Sequence, residues 1–299
     1  MRIALKVDVD TYRGTLEGVP ALLRLFDEFQ VAATFLFSLG PDHTGRALRR
    51  VFRPGFLAKV QRTSVASHYG WKTLLYGTLL PGPHIGRKAA PILRATAAAG
   101  HEVGIHCYDH VRWQDFVVNK DYAWTRREMI LAQDAFREVF KRDAEVIGAA
   151  GWQINAHTLK LEEELGFRYA SDTRGESVFQ PRMGDTSSRC IQIPTTLPTL
   201  DELIGVNDIT EDNVHTAVYE ASRKPLRHGH VYTLHAELEG MKLLPVMRAL
   251  LTQWRQAGDD IVTLGDVFRS ISSGEIEQRR IELGTVAGRS GALAVEVMA

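Results

Sequence analysis

The chain has 299 residues, 44% of them hydrophobic and 24% charged, with 36 basic residues against 36 acidic ones. That composition belongs to a folded globular protein and excludes disordered, fibrous and collagen-like classes. Two cysteines, Cys107 and Cys190, cannot build a disulfide framework and point to a reducing compartment. The first residues run straight into a strand pattern without the apolar core of a secretory signal. No window approaches the roughly 18 apolar residues that span a bilayer, so the expectation is a cytoplasmic protein.

In chain order, strands are expected at residues 3–10, 31–38, 102–107, 145–150, 168–171, 191–194, 230–235 and 261–264. These runs are short, rich in Val, Ile, Phe and Tyr, and separated by helical patterns. Helices are expected at residues 19–29, 88–99, 124–140, 157–165, 213–223, 242–256 and 266–271. The long central one carries Met129, Ala132, Phe136, Val139 and Phe140 at helical spacing. Repeated β–α alternation predicts an α/β fold with a parallel sheet inside helices, and so many units favour a barrel over an open sheet. No Gly-x-Gly-x-x-Gly follows the first strand and no phosphate-binding loop occurs, so nucleotide-binding readings lose support. The main domain is expected over residues 2–270, and residues 271–299 read as a mobile C-terminal tail.

The zero net charge hides an asymmetry. Between Asp42 and Glu102 there is no acid, yet ten Lys and Arg residues fall there, from Arg46 to Arg94. Phe52, Phe56, Tyr69, Trp71 and Tyr76 are interleaved with these cations, marking a basic, aromatic insertion at residues 43–87.

Four places carry chemistry. Asp8 and Asp10 lie two apart at the end of the first strand, so they share a face at the end where barrel active sites sit. His106 and His110 come one turn apart if the chain turns helical after the third strand, and can then converge on one metal ion. Cys107, between them, points to the other face. His235 ends a strand, and Asp172 leaves another together with Arg174. Taken singly each has a bland explanation: a turn-capping Asp, a core His, a structural ion pair.

Their order, however, resembles the polysaccharide deacetylase (NodB-homology) family over residues 2–270. The resemblance implies a distorted β/α barrel with fewer strands than the standard eight. It implies Asp10, His106 and His110 as ligands of a divalent metal ion (Zn, Mn, Co or Ni), Asp8 as general base and His235 as general acid. Further blocks, including Thr11-Tyr12-Arg13-Gly14, Ala149-Ala150-Gly151-Trp152, Gln192-Ile193-Pro194 and His235-Ala236-Glu237, look like one group within that family. That group deformylates 4-deoxy-4-formamido-L-arabinose carried on undecaprenyl phosphate, in aminoarabinose modification of lipid A and resistance to cationic peptides. The likeness implies Trp152 and Glu237 at the sugar. It also gives the basic insertion a use as an interfacial segment on the anionic cytoplasmic face of the inner membrane. No nucleic-acid recognition motif accompanies the cations.

One departure stands out. The family's third motif carries an Arg that orients the catalytic Asp, and Ala149-Ala150-Gly151-Trp152 has none. Arg174, beside Asp172, is the expected substitute. The alternative within the family is an amidohydrolase acting on an N-acetylated glycan or a cyclic amide. A non-catalytic scaffold on a decayed barrel is disfavoured because all five of Asp8, Asp10, His106, His110 and His235 are present in order.

Overall fold

The computed structural model describes residues 1–47, 73–272 and 276–297. Most of the expected interfacial segment therefore lies outside the described residues. The chain begins with β1 (Arg2–Val9), seven of whose eight residues are buried. A five-residue wide turn, Gly14–Gly18, then leads into α1 (Val19–Phe29) and β2 (Thr34–Ser38). After the insertion come α2 (Ile85–Lys88), α3 (Ala90–Ala98) and β3 (Glu102–Cys107). The next elements are α4 (His110–Phe116), α5 (Tyr122–Phe140), β4 (Val146–Ile147), α6 (Ala156–Glu164) and β5 (Tyr169–Ala170). Three short strands follow: β6 (Phe179–Met183), β7 (Thr186–Ser187) and β8 (Ile191–Gln192). The chain then runs through α7 (Leu200–Leu203), α8 (Val214–Ala221), β9 (His230–His235), α9 (Leu244–Gln256), β10 (Asp260–Val262) and α10 (Leu264–Arg269). It ends with β11 (Glu277–Gly284) and β12 (Leu293–Val297).

The strands β9, β1, β2, β3, β4, β5 and β8 lie side by side in that order, and every pairing among them is parallel. The sheet curls until the segment after β8 reaches β9, where Thr196 and Leu197 both donate backbone N–H groups to the Val231 carbonyl. The α/β expectation and the reduced strand number of a distorted barrel both hold. Leu22, Leu25 and Phe26 of α1, Leu93 of α3, Met129 and Phe136 of α5 and Leu250 and Trp254 of α9 pack with the strands in one large apolar core.

Local chemistry explains where elements differ from expectation. The helix expected at 88–99 is broken at Ala89 (φ −104°, ψ 9°), because Pro91 is tolerated only in a first turn and starts a new helix there. The strand expected at 145–150 stops at Ile147, since Gly151 and Trp152 take left-handed conformations (φ 63° and 55°).

The expected mobile tail is corrected outright. β11 and β12 form an antiparallel hairpin, β11 pairs in parallel with β6, and Ile281, Leu293 and Ala294 are buried. Their pattern escapes notice because most β11 side chains face water. Burying a whole aliphatic side chain contributes about 1.5–3 kcal/mol. A chain cut after residue 271 is thus expected to lose at least that much for each of Ile281 and Leu293, read as a lower urea midpoint. An unchanged midpoint would mean that the hairpin is dispensable.

Candidate active site

Parallel pairing brings the C-terminal ends of β1, β3 and β9 to one end of the barrel. Asp8 of β1 lies directly opposite His235 of β9 in the register. His106 comes from the end of β3, and His110 from the first turn of α4. That helix starts where it does because the Asp109 side chain accepts the Arg112 N–H, and His43 Nδ1 grips the same carboxylate at 2.6 Å. The turn carries His110 Nε2 to 3.4 Å from Asp10 Oδ2, while His106 Nε2 lies 3.2 Å from Asp10 Oδ1.

These three side chains fit a divalent cation. Their ligand atoms all lie within 4.8 Å of one another, and Asp10 Oδ1 is buried without a hydrogen bond. His106 Nδ1 lies 2.6 Å from the Gly148 carbonyl. A carbonyl only accepts, so Nδ1 carries a hydrogen, and Nε2 is the nitrogen left to bind a metal ion beside Asp10. Burial works to raise the pKa of Asp10, but the imidazoles of His110, His106 and His235 together outweigh it and hold the carboxyl well below its ordinary range. For His106, burial favours the neutral ring, yet Asp8 and Asp10 prevail and raise its pKa.

Glu237 positions Asp10 from behind. Its Oε1 accepts hydrogen bonds from Asp10 N, Thr11 N and Thr11 Oγ1 at 3.1, 2.7 and 2.8 Å. Gly14 leaves the space for it, because a Cβ there would fall 2.0 Å from the same oxygen. On β9, the His235 backbone N–H donates to Glu239, which also accepts from the Tyr232 hydroxyl. His235 Nδ1 is buried without a partner.

A trio that could hold a metal ion, flanked by a second aspartate and a third histidine, suits hydrolysis of an unactivated acyl bond. The polysaccharide deacetylase family model matches residues 2–170, more than half of the chain. The chain belongs to the polysaccharide deacetylase family. It is accordingly a hydrolase acting on an amide bond. A protein of Shewanella sediminis, named a probable 4-deoxy-4-formamido-L-arabinose-phosphoundecaprenol deformylase, is 38% identical over 88% of this chain and 84% of its own length. A protein of Wigglesworthia glossinidia brevipalpis with the same name is 31% identical over 95% of this chain and 98% of its own. Among solved structures, a Mycobacterium smegmatis protein assigned to the polysaccharide deacetylases aligns with a TM-score of 0.65 at 19% identity, over 95% of this chain and 94% of that one. A family 4 acetyl xylan esterase from Clostridium thermocellum, solved with a cobalt ion, aligns with a TM-score of 0.51 at 12% identity, over 90% of this chain and 91% of that one. At such identities these two structures speak for the deacetylase fold alone.

Four expected site residues lie elsewhere than at an open substrate surface. Arg174 does not reach Asp8: its guanidinium pairs with Glu202, donates to the Leu197 carbonyl and stacks over Trp152. Asp172 is fully buried, accepting from Ala149 N and from the Gln192 side chain, and so it braces the turn at Ala149–Trp152. Trp152 is only 1% exposed, enclosed by Lys6, Arg174 and Arg289. Glu237, likewise 1% exposed, is spent on Asp10 and Thr11. The residue that does face Asp8 is Lys6, which the sequence reading passed over although the i, i+2 rule places it on the same face.

Burial and the neighbouring Asp10 push the Glu237 carboxyl well above its usual pKa, which favours the uncharged form. A neutral amide can therefore take its place. Glu237→Gln is expected to keep metal affinity within a few-fold, whereas Glu237→Ala weakens it about 10- to 100-fold by freeing the Asp10 backbone. Metal titration of the two purified variants checks this; equal losses in both would contradict it.

Proposed function

We propose that this chain removes the formyl group from undecaprenyl-phosphate-linked 4-deoxy-4-formamido-L-arabinose, releasing formate and the free amine in aminoarabinose modification of lipid A. The convergence of Asp10, His106 and His110 beside Asp8 and His235 carries the hydrolytic part of this reading. The substrate part is supported by the two relatives bearing that name, matched over most of both chains. A divalent cation held by Asp10, His106 and His110 would supply Lewis acidity, lowering the pKa of a bound water toward ~7. Zinc suits two imidazoles and a carboxylate, and manganese, cobalt and nickel accept the same donors.

The side chains divide the proton work. Asp8 Oδ1 is buried without a hydrogen bond and lies 3.8 Å from His106 Nδ1, so it is free to take a proton at the site. His235, opposite Asp8, delivers a proton to the departing amine. General acid–base groups typically contribute 10²–10⁴-fold. Asp8→Asn is thus expected to keep its metal while kcat falls by about 10²–10⁴-fold, and His106→Ala to lose the metal. Formate release from the lipid-linked formamido sugar, with bound metal measured in parallel, tests both; an active Asp8→Asn enzyme would sink the assignment. Acetate release from an N-acetylated glycan, with no formate from the sugar, would favour the other family chemistry.

We further propose that the protein works peripherally on the cytoplasmic face of the inner membrane. No helix among the described residues is long and apolar enough to cross a bilayer. Leu79 and Leu80 are exposed beside Arg46, whose Nε donates to the Gly77 carbonyl in the same turn. Each cation near an anionic surface contributes about 1 kcal/mol. Flotation with vesicles containing anionic lipid is expected to carry the protein upward, and neutral vesicles to carry much less. Equal failure with both would refute the membrane reading.

A further inference from the structure

We propose that Lys6 is the positioning residue for Asp8, supplying from the first strand the cation that the third motif lacks. The inference rests on the hydrolytic reading of Asp8 and deepens it.

Lys6 stands two residues before Asp8 on β1, so both side chains project to the same side of the strand. It is 0% exposed, and a wholly buried lysine needs partners. Its Nζ donates to the Ser171 carbonyl at 2.7 Å and lies 3.7 Å from Asp8 Oδ2. Ser171 is itself held, its N–H donating to Ile147 O and its hydroxyl to Ile193 O. The ammonium also lies 5.4 Å from the centre of the Trp152 ring. Gly148 packs against the lysine stem, where a Cβ would sit 2.4 Å from Leu36 Cδ1 and 3.2 Å from Lys6 Cε. The same Gly148 offers its carbonyl to His106. One glycine thus borders the lysine and orients a metal ligand.

The consequence is directional. Lys6 holds Oδ2, and the other oxygen, Oδ1, is left buried without a hydrogen bond, 3.8 Å from His106 Nδ1. Burial lowers the pKa of Lys6, and Asp8 together with the fully buried Asp172 works against that by favouring the charged form. Arg174 has no such role, since it is committed to Glu202 and Leu197.

The test uses the full-length, metal-loaded protein. Lys6→Met keeps the length of the stem and removes the charge, and Lys6→Gln keeps a donor for Ser171 O should the methionine variant fail to fold. In either variant kcat on the formamido sugar is expected to fall about 100-fold, with KM within threefold and bound metal unchanged. Lys6→Arg, which retains the charge, is expected to recover at least tenfold of that loss. The readout that needs no substrate is the crystal structure of the neutral variant. There Asp8 should leave its position while Asp10, His106 and His110 stay in place. An Asp8 carboxylate that stays in position in the neutral variant would overturn the proposal, as would a neutral variant retaining kcat within threefold. Failure of the wild-type protein to release formate would count against the substrate reading alone, since the position of Asp8 is read independently of it.

Discussion

A strand buried along nearly its whole length that nonetheless carries Lys6, Asp8 and, just past its end, Asp10 must settle three charges away from water. Desolvating a charge costs several kcal/mol unless partners replace the lost hydration. Each charge on β1 finds a different kind of partner. Asp10 faces two imidazoles, Asp8 faces an ammonium, and the ammonium in turn faces a carbonyl oxygen and two carboxylates. Burial and Asp172 push the Glu162 carboxyl well above its usual range, which favours its neutral form. The polar interior therefore runs from the deep carboxyls to the cluster of Asp10, His106 and His110.

Parallel topology turns that arrangement into a site. Adjacent parallel strands end at the same rim, so residues from positions 8, 106 and 235 meet without any local sequence contact. The turns beyond the strands then do the fine placement. Asp109 caps α4 and thereby fixes the turn that brings His110 to Asp10. Gly148, just past β4, fixes the ring of His106. Glu237, two residues past β9, holds the backbone just past β1. Chemistry at the rim depends on these second contacts as much as on the ligands themselves.

Much of this was legible from residue order. The Asp8/Asp10 alternation, the one-turn spacing of His106 and His110 and the strand-terminal His235 all follow from period-two and period-3.6 geometry, and the structure brings the five together. What stayed hidden were groups whose partners are distant in sequence. Glu237 is expected at the sugar until its contacts to Asp10 and Thr11, more than 220 residues away, are seen. The C-terminal hairpin was hidden for another reason. β11 shows water along most of its length, so it lacks the alternating apolar signal, and only its pairing with β6 and β12 reveals it.

The contrast between Arg174 and Lys6 shows how far adjacency can mislead. Arg174 sits two residues from Asp172, which made it the natural candidate, but its backbone is bridged to Thr195 and Val295 and its side chain is drawn to Glu202. Arg289, arriving from the hairpin, pairs with the same Glu202 and also lies over the Trp152 ring. The two arginines thus tie the C-terminal strands to the barrel wall rather than serving the site. A lysine on β1 reaches Asp8 more directly, and its chemistry differs from an arginine's. A guanidinium can clamp both oxygens of a carboxylate, whereas an ammonium is a compact point charge. Lys6 lies 3.7 Å from Oδ2, and the second oxygen is buried without a hydrogen bond. On the role proposed for Lys6, the arginine missing from the third motif is replaced by a charge on the strand that leads into Asp8 and Asp10.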